Sequence, residues 1–162
     1  MTDTTHIVVL SRRNFVVAAT ASSLVLHPLL AYAEQGGTTL EQSATFAAEF
    51  AKIVNGATPA EGGITLELPE IAENGNFVPV TITVESPMTD ADHVKALHLL
   101  STANPVARVA TFHLSPVNGA ARVQSRMRLA KTQDGIVLTE HSTGKLAIAT
   151  VLVKVTLGGC AG

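Results

Sequence analysis

The chain has 162 residues, 46% hydrophobic, 15% charged and 4% aromatic, with a formal net charge of −2. That suffices for one packed domain and an extra segment, and it gives no reason to expect nucleic acid, which usually calls for a basic domain. A single cysteine excludes an intramolecular disulfide and a multi-cysteine zinc site.

Residues 1–33 read as an export signal of the twin-arginine type. Ser11-Arg12-Arg13-Asn14-Phe15 pairs two arginines before a hydrophobic residue. An apolar run from Val16 to Leu30 follows, tempered by Thr20, Ser22 and Ser23. Ala31-Tyr32-Ala33 is a small-x-small cleavage signature. The run is short for a membrane span, and His27-Pro28 interrupts it. The other reading is an uncleaved anchor. Twin-arginine signals address the bacterial route for folded proteins, so the expected location is the periplasm, with no membrane attachment after cleavage. A lone thiol there meets disulfide chemistry.

Residues 34–157 read as a helix plus a β-domain. A helix is expected from Leu40 to Val54, with Thr39 as cap and Gln42 in capping-box spacing. Leu40, Ala44, Ala47, Ala48 and Ala51 share one side, and Asn55-Gly56 stops it. Beyond Gly63 the period changes to two. Ile64, Leu66 and Leu68 alternate with polar residues until Pro69, and Asn74-Gly75 signals a turn. Further strands follow at Val78–Val84, Val94–Leu100 and Arg108–Leu114. From Arg122 to Leu129 alternation places Val123, Ser125, Met127 and Leu129 on one face and Arg122, Gln124, Arg126 and Arg128 on the other. Asp134-Gly135 reads as a hairpin turn into Ile136–Glu140, and Lys145–Leu157 as a long last strand. About seven strands at regular spacing predict an all-β, immunoglobulin-like antiparallel β-sandwich with an N-terminal helix.

Residues 158–162, Gly158-Gly159-Cys160-Ala161-Gly162, read as a flexible C-terminal arm. Glycine lacks a Cβ, so Gly158, Gly159 and Gly162, with small Ala161, put little bulk around the thiol of Cys160. A free cysteine titrates near about 8.5, and the nearest base in sequence, Lys154, is six residues away. Local sequence therefore offers no strong activation of the thiolate. That suits a handle on which other proteins act more than a self-contained nucleophile. The arm and an incidental terminal cysteine both remain open on composition alone. A lipid anchor does not fit, because prenylation needs the cysteine fourth from the end.

No catalytic or metal site is readable elsewhere. His98 falls on a strand face and reads as a packed, hydrogen-bonded residue. The row Arg122, Arg126, Arg128 reads as a solvated sheet face, with an anion or acidic partner as the alternative. There is no HExxH, phosphate loop, GxSxG or dinucleotide fingerprint, hence no cofactor.

The tail Gly158–Gly162 and the stretch Leu66-Glu67-Leu68-Pro69-Glu70-Ile71-Ala72-Glu73-Asn74-Gly75-Asn76-Phe77-Val78-Pro79 together resemble the SoxY family of bacterial thiosulfate oxidation. The tail is similar to that family's terminal GGCGG, with Ala161 departing from the usual glycine. The resemblance implies a non-enzymatic sulfur carrier whose Cys160 holds thiosulfate-derived intermediates covalently. It implies a heterodimer with SoxZ, the c-type cytochrome SoxAX as coupling enzyme, the manganese hydrolase SoxB, and in some members the sulfane dehydrogenase SoxCD. The contrasting reading is an exported immunoglobulin-like binding module whose terminal cysteine is incidental.

Overall fold

Period-two runs of Val, Leu and Ile give each strand one apolar face, and burying those faces against each other makes the sandwich. The structure is a computed structural model that describes residues 40–159, all within one unit. The expected export signal and residues 160–162 lie outside the described residues. The elements are α1 (Ala44–Val54), β1 (Ala60–Glu61), β2 (Ile64–Glu67), β3 (Ile71–Asn74), β4 (Val78–Val84), β5 (Val94–Ser101), β6 (Arg108–His113), β7 (Ala121–Met127), β8 (Gln133–His141) and β9 (Leu146–Leu157).

The smaller sheet has the order β2-β4-β7, antiparallel throughout. The larger runs β1-β9-β8-β5-β6, with β3 also on β9. Val78, Val80, Ile82 and Val84 of β4 face Leu97, Leu99, Val137 and Val153 of the larger sheet in one buried cluster. The opposite face of β5 and β8, with Leu100, Ile136 and Leu138, is covered by Phe46, Phe50, Ile53 and Val54 of α1. This is why β5 is apolar on both faces. Only Lys95 along it is exposed.

Four features differ from the sequence expectation. The helix begins at Ala44, not Leu40, and its cap is Ser43 in place of Thr39. The Ser43 amide donates to the Thr102 carbonyl at 2.8 Å and the Ser43 hydroxyl accepts from the Phe46 amide at 3.2 Å. That tether holds Ser43 in the extended conformation of a cap. Asn55 does end the helix, in left-handed conformation with φ 45°.

Second, Asp134-Gly135 is not a turn. Both residues lie within β8, paired with Leu152 and Val151. A Cβ on Gly135 would sit 2.6 Å from Leu68 Cδ1, so the glycine serves close packing between the sheets. The chain reverses earlier, through residues 128–132.

Third, the sandwich is not wholly antiparallel. β1 and β3 run parallel to β9, pairing Ala60 with Ala147 and Ile71 with Lys154. Between them β2 crosses to the other sheet to pair with β4. One segment, 60–74, thus laces both sheets along a single edge. Gly62 and Gly63, with φ of 101° and 71°, make one of its bends. Fourth, β1 and β3 bring the strands to nine among the described residues.

Burial raises the Asp134 carboxyl above its ordinary value. A carboxyl that holds its proton more tightly folded than unfolded loses stability on ionising, as pH rises through the raised value. Asp134→Asn removes that loss. The variant is expected to melt above the parent at neutral pH, with the gap closing as pH falls and gone below both titrations. Calorimetry over a pH series checks this, and a gap that widens on acidification contradicts it.

Candidate functional site

The sequence places the candidate thiol directly after Gly158-Gly159, so the site is built from whatever holds those two glycines. Leu157 ends β9, and its carbonyl accepts from the Gly75 amide at 2.8 Å. Two residues on, the Gly159 amide donates to the Leu129 carbonyl at 2.9 Å. The Leu129 amide in turn donates to the Gly75 carbonyl at 2.8 Å. Three backbone segments far apart in sequence are thereby joined in a closed three-way junction. Upstream, the Val155 amide donates to Thr132 Oγ1 at 3.0 Å, so residues 128–132 run as a strap beside the end of β9.

The junction is tight enough to exclude side chains. A Cβ on Gly159 would lie 2.7 Å from the Gly75 carbonyl oxygen and 3.0 Å from the Asn76 nitrogen. A Cβ on Gly75 would overlap the Leu129 carbonyl and lie 2.7 Å from the Gly159 nitrogen. A Cβ on Gly158 would overlap the Ala130 carbonyl. Neither glycine of the pair has the positive φ that would demand glycine on conformational grounds. Their small size is what the site uses. Gly159 is buried and Gly158 exposed. The expected end of the anchored chain at Leu157 therefore moves to Gly159. Cys160, Ala161 and Gly162 lie outside the described residues, so Cys160 follows directly on the anchored Gly159.

Next to Gly75 a pocket of about 400 Å³ opens, lined in part by Asn76, Phe77, Val106, Arg108, Arg126 and Arg128. Phe77 is 65% and Val106 67% exposed. The Arg126 guanidinium stands 5.5 Å from the centre of the Phe77 ring, within cation–π range. Arg108 is paired with Glu49 of α1. A hydrogen bond from Lys52, with Arg108 nearby, holds the Glu49 carboxyl below its ordinary value. The row Arg122, Arg126, Arg128 lies exposed on the outer side of the smaller sheet and its continuation, as alternation predicts.

His98 is buried between Thr111 Oγ1 at 3.1 Å from Nδ1 and Glu140 Oε1 at 3.0 Å from Nε2. Both ring nitrogens are engaged, which accounts for a histidine in the sheet without a ligand. Among the described residues no group of three or more His, Cys, Asp or Glu is placed to hold a metal.

The sequence reading missed Gly75 and Leu129 as parts of this site. Asn74-Gly75 gives a turn signal, and the turn is present. Nothing local says that it also closes on the tail. Leu129 was expected to face inward, and its side chain is fully buried. Its backbone role has no sequence signature.

Comparison with known proteins now bears on this geometry. A family model described as "Sulfur oxidation protein SoxY" matches residues 50–160. The chain belongs to this family. The match runs through the Gly75 turn, the strap and Gly158-Gly159 to Cys160. Among solved structures, the sulfur carrier protein SoxY from Chlorobium limicola f thiosulfatophilum is 35% identical, with a TM-score of 0.57, covering 71% of this chain and 100% of that one. Superoxide reductase (neelaredoxin) from Ignicoccus hospitalis shares the fold at 16% identity and a TM-score of 0.52, covering 58% of this chain and 80% of its own. Comparison with curated proteins finds no match.

Gly75→Ala forces backbone against backbone in the junction. Overpacking of this kind costs about 1–3 kcal/mol. The urea midpoint of the variant is expected to fall accordingly, with faster exchange of the Gly159 amide in residue-resolved hydrogen exchange. Unchanged stability and unchanged Gly159 protection would show that the junction is looser than described.

Proposed function

We propose that this chain is a periplasmic sulfur carrier of thiosulfate oxidation, and that Cys160 holds its cargo covalently. The observation that carries the reading is the SoxY match extending to Cys160, on a backbone whose last described residue is pinned in the glycine junction. The similar protein from Chlorobium limicola f thiosulfatophilum is itself described as a sulfur carrier.

The chemistry divides between this chain and its partners. The Cys160 thiol and thiosulfate join through a new S–S bond, giving Cys–S–S–SO₃⁻. The thiol proton is released, and two electrons pass to the coupling enzyme, SoxAX. Water then attacks the terminal sulfonate sulfur in the hydrolase SoxB, sulfate leaves with two protons, and a persulfide anion stays on the cysteine. SoxCD acts on that persulfide where it is present. In each step the chain contributes the thiol and its delivery, and the catalytic groups belong to the partner. The sequence places no basic residue within five positions of Cys160, which suits a thiol that a partner's site activates.

The body contributes a fixed root. Gly159 is hydrogen-bonded and buried, so the residue that bears the cargo is joined to a fixed backbone position. Ala161 and Gly162 add little bulk beside the thiol, which suits entry into narrow sites. Ala161 adds one methyl group relative to glycine. SoxZ is the proposed heterodimer partner, and export in folded form by the twin-arginine route would carry both subunits together.

Incubation with thiosulfate and the coupling enzyme is expected to add one thiosulfate group to the peptide containing Cys160, read by mass spectrometry. Cys160→Ser is expected to abolish the adduct and thiosulfate oxidation while leaving the melting temperature unchanged. An unmodified Cys160 in a competent reaction, or full oxidation by the serine variant, would remove the carrier reading and favour the binding module.

A further inference from the structure

Behind the three-way junction lies a buried pair of carboxamides. Asn104 is 6% exposed and Gln133 fully buried. Asn104 Nδ2 donates to the Arg128 carbonyl at 2.8 Å, and Asn104 Oδ1 accepts from the Ala130 amide at 2.9 Å. These two groups flank Leu129, and each shares a peptide plane with one of the junction's bonding groups. The Arg128 carbonyl is in one plane with the Leu129 amide, which donates to Gly75. The Ala130 amide is in one plane with the Leu129 carbonyl, which accepts from Gly159. Because a peptide unit is planar and stiff, gripping one edge of a plane aims the other. Two continuous chains of hydrogen bonds thus run from a single side chain, one to Gly75 and one to Gly159. Bonds linked in this way also polarise one another.

Gln133 fixes which way the Asn104 amide points. Its Nε2 donates to Asn104 Oδ1 at 2.8 Å and to the Lys131 carbonyl at 3.1 Å, and its Oε1 accepts from the Ala103 amide at 2.7 Å. With Oδ1 receiving two donors, a flipped Asn104 would set N–H against N–H. Together the pair engages the Arg128 carbonyl, the Ala130 amide and the Lys131 carbonyl, and leaves both backbone groups of Leu129 for the junction. Burial of the two carboxamide side chains makes this arrangement stringent, since their polar atoms give up solvent for these partners.

We propose that Asn104 and Gln133 are positioning residues for the sulfur-bearing tail, setting through the Leu129 peptide planes where Gly159, and so Cys160, leaves the domain. This rests on the carrier reading of Cys160. Neither residue touches the cargo. They act by holding the acceptor that Gly159 needs, so their loss should affect delivery to a partner without altering the thiol itself.

The test compares the parent chain with Asn104→Leu, which keeps the shape and removes both grips, and Gln133→Met, which removes the orienting donor together with the Gln133 bonds to the Lys131 carbonyl and the Ala103 amide. Residue-resolved hydrogen exchange is expected to show the Gly159 and Leu129 amides exchanging about tenfold faster in Asn104→Leu, the scale of one lost hydrogen bond, and less accelerated in Gln133→Met. The Leu99 and Val137 amides, in the sheet core, should keep their rates. Alkylation of Cys160 by iodoacetamide, which needs no placement, should change less than about twofold. Adduct formation by the coupling enzyme at subsaturating carrier should slow by about tenfold, recovering at high carrier concentration as a KM effect. If Asn104→Leu does not fold, the parent decides: in a denaturant series Gly159, Leu129 and Ala130 amides should open as one unit. Gly159 protection untouched by Asn104→Leu, or separate opening in the parent, overturns the proposal. So does an equal slowing of alkylation and adduct formation. If the parent takes up no sulfur, the carrier reading falls, while the exchange result still decides whether Asn104 holds Gly159.

Discussion

The Gly75–Leu129–Gly159 junction depends on the absence of three side chains. Backbone groups from the turn before β4, from the strap between β7 and β8, and from the end of β9 meet at hydrogen-bonding distance. With any Cβ at 75, 158 or 159 the segments must part, because the contacts are with backbone atoms that cannot rotate away. The hydrogen bonds and the close packing are therefore one constraint. The sandwich supplies the rigidity that makes it enforceable: Leu129 is anchored by a fully buried side chain, and β9 is paired on both edges, to β8 and to β1 and β3.

Glycine has two distinct uses in this chain. At Gly56, Gly62, Gly63, Gly119 and Gly144 it takes positive φ with open space around the missing Cβ, which is conformational service at bends. At Gly75, Gly158 and Gly159 φ is ordinary and the space is filled. From sequence the two uses look identical. This is why Gly158-Gly159 reads as the start of a loose arm, whereas the structure holds both residues against the domain. The distinction changes where the fixed backbone ends, at Gly159 and not at Leu157.

Much of the fold was legible because it depends on local pattern. The alternation at Val78–Val84 and Arg122–Leu129 gives the right faces, and Asn55 ends its helix as its chemistry suggests. The failures share a cause. Ser43 displaces Thr39 as the cap because Thr102, 59 positions on, accepts its amide. Asp134-Gly135 stays extended because β9 pairs with both residues and Thr102 bonds the Asp134 backbone. The parallel strand β1 is too short to carry a period, and β3, Ile71-Ala72-Glu73-Asn74, does not alternate apolar with polar residues. Each outcome is decided by a partner distant in sequence, and local propensity yields to it. Of the site, Cys160 and its glycines stand out by composition, while Gly75, Leu129 and Asn104 act through backbone geometry that no motif records.

The shared fold with superoxide reductase at 16% identity shows how little the sandwich itself says about chemistry. What the scaffold provides here is a stationary frame with a backbone socket at one end. A carrier needs that combination more than it needs a pocket of its own. If the root wandered, each partner would have to pay the entropy of ordering it before meeting the cargo. Pinning Gly159 removes that cost once, in folding. The buried Asn104–Gln133 pair explains how an irregular strap, without strand partners at Leu129, can be stiff enough to do so: side-chain amides take the place of a neighbouring strand, satisfying the same backbone groups.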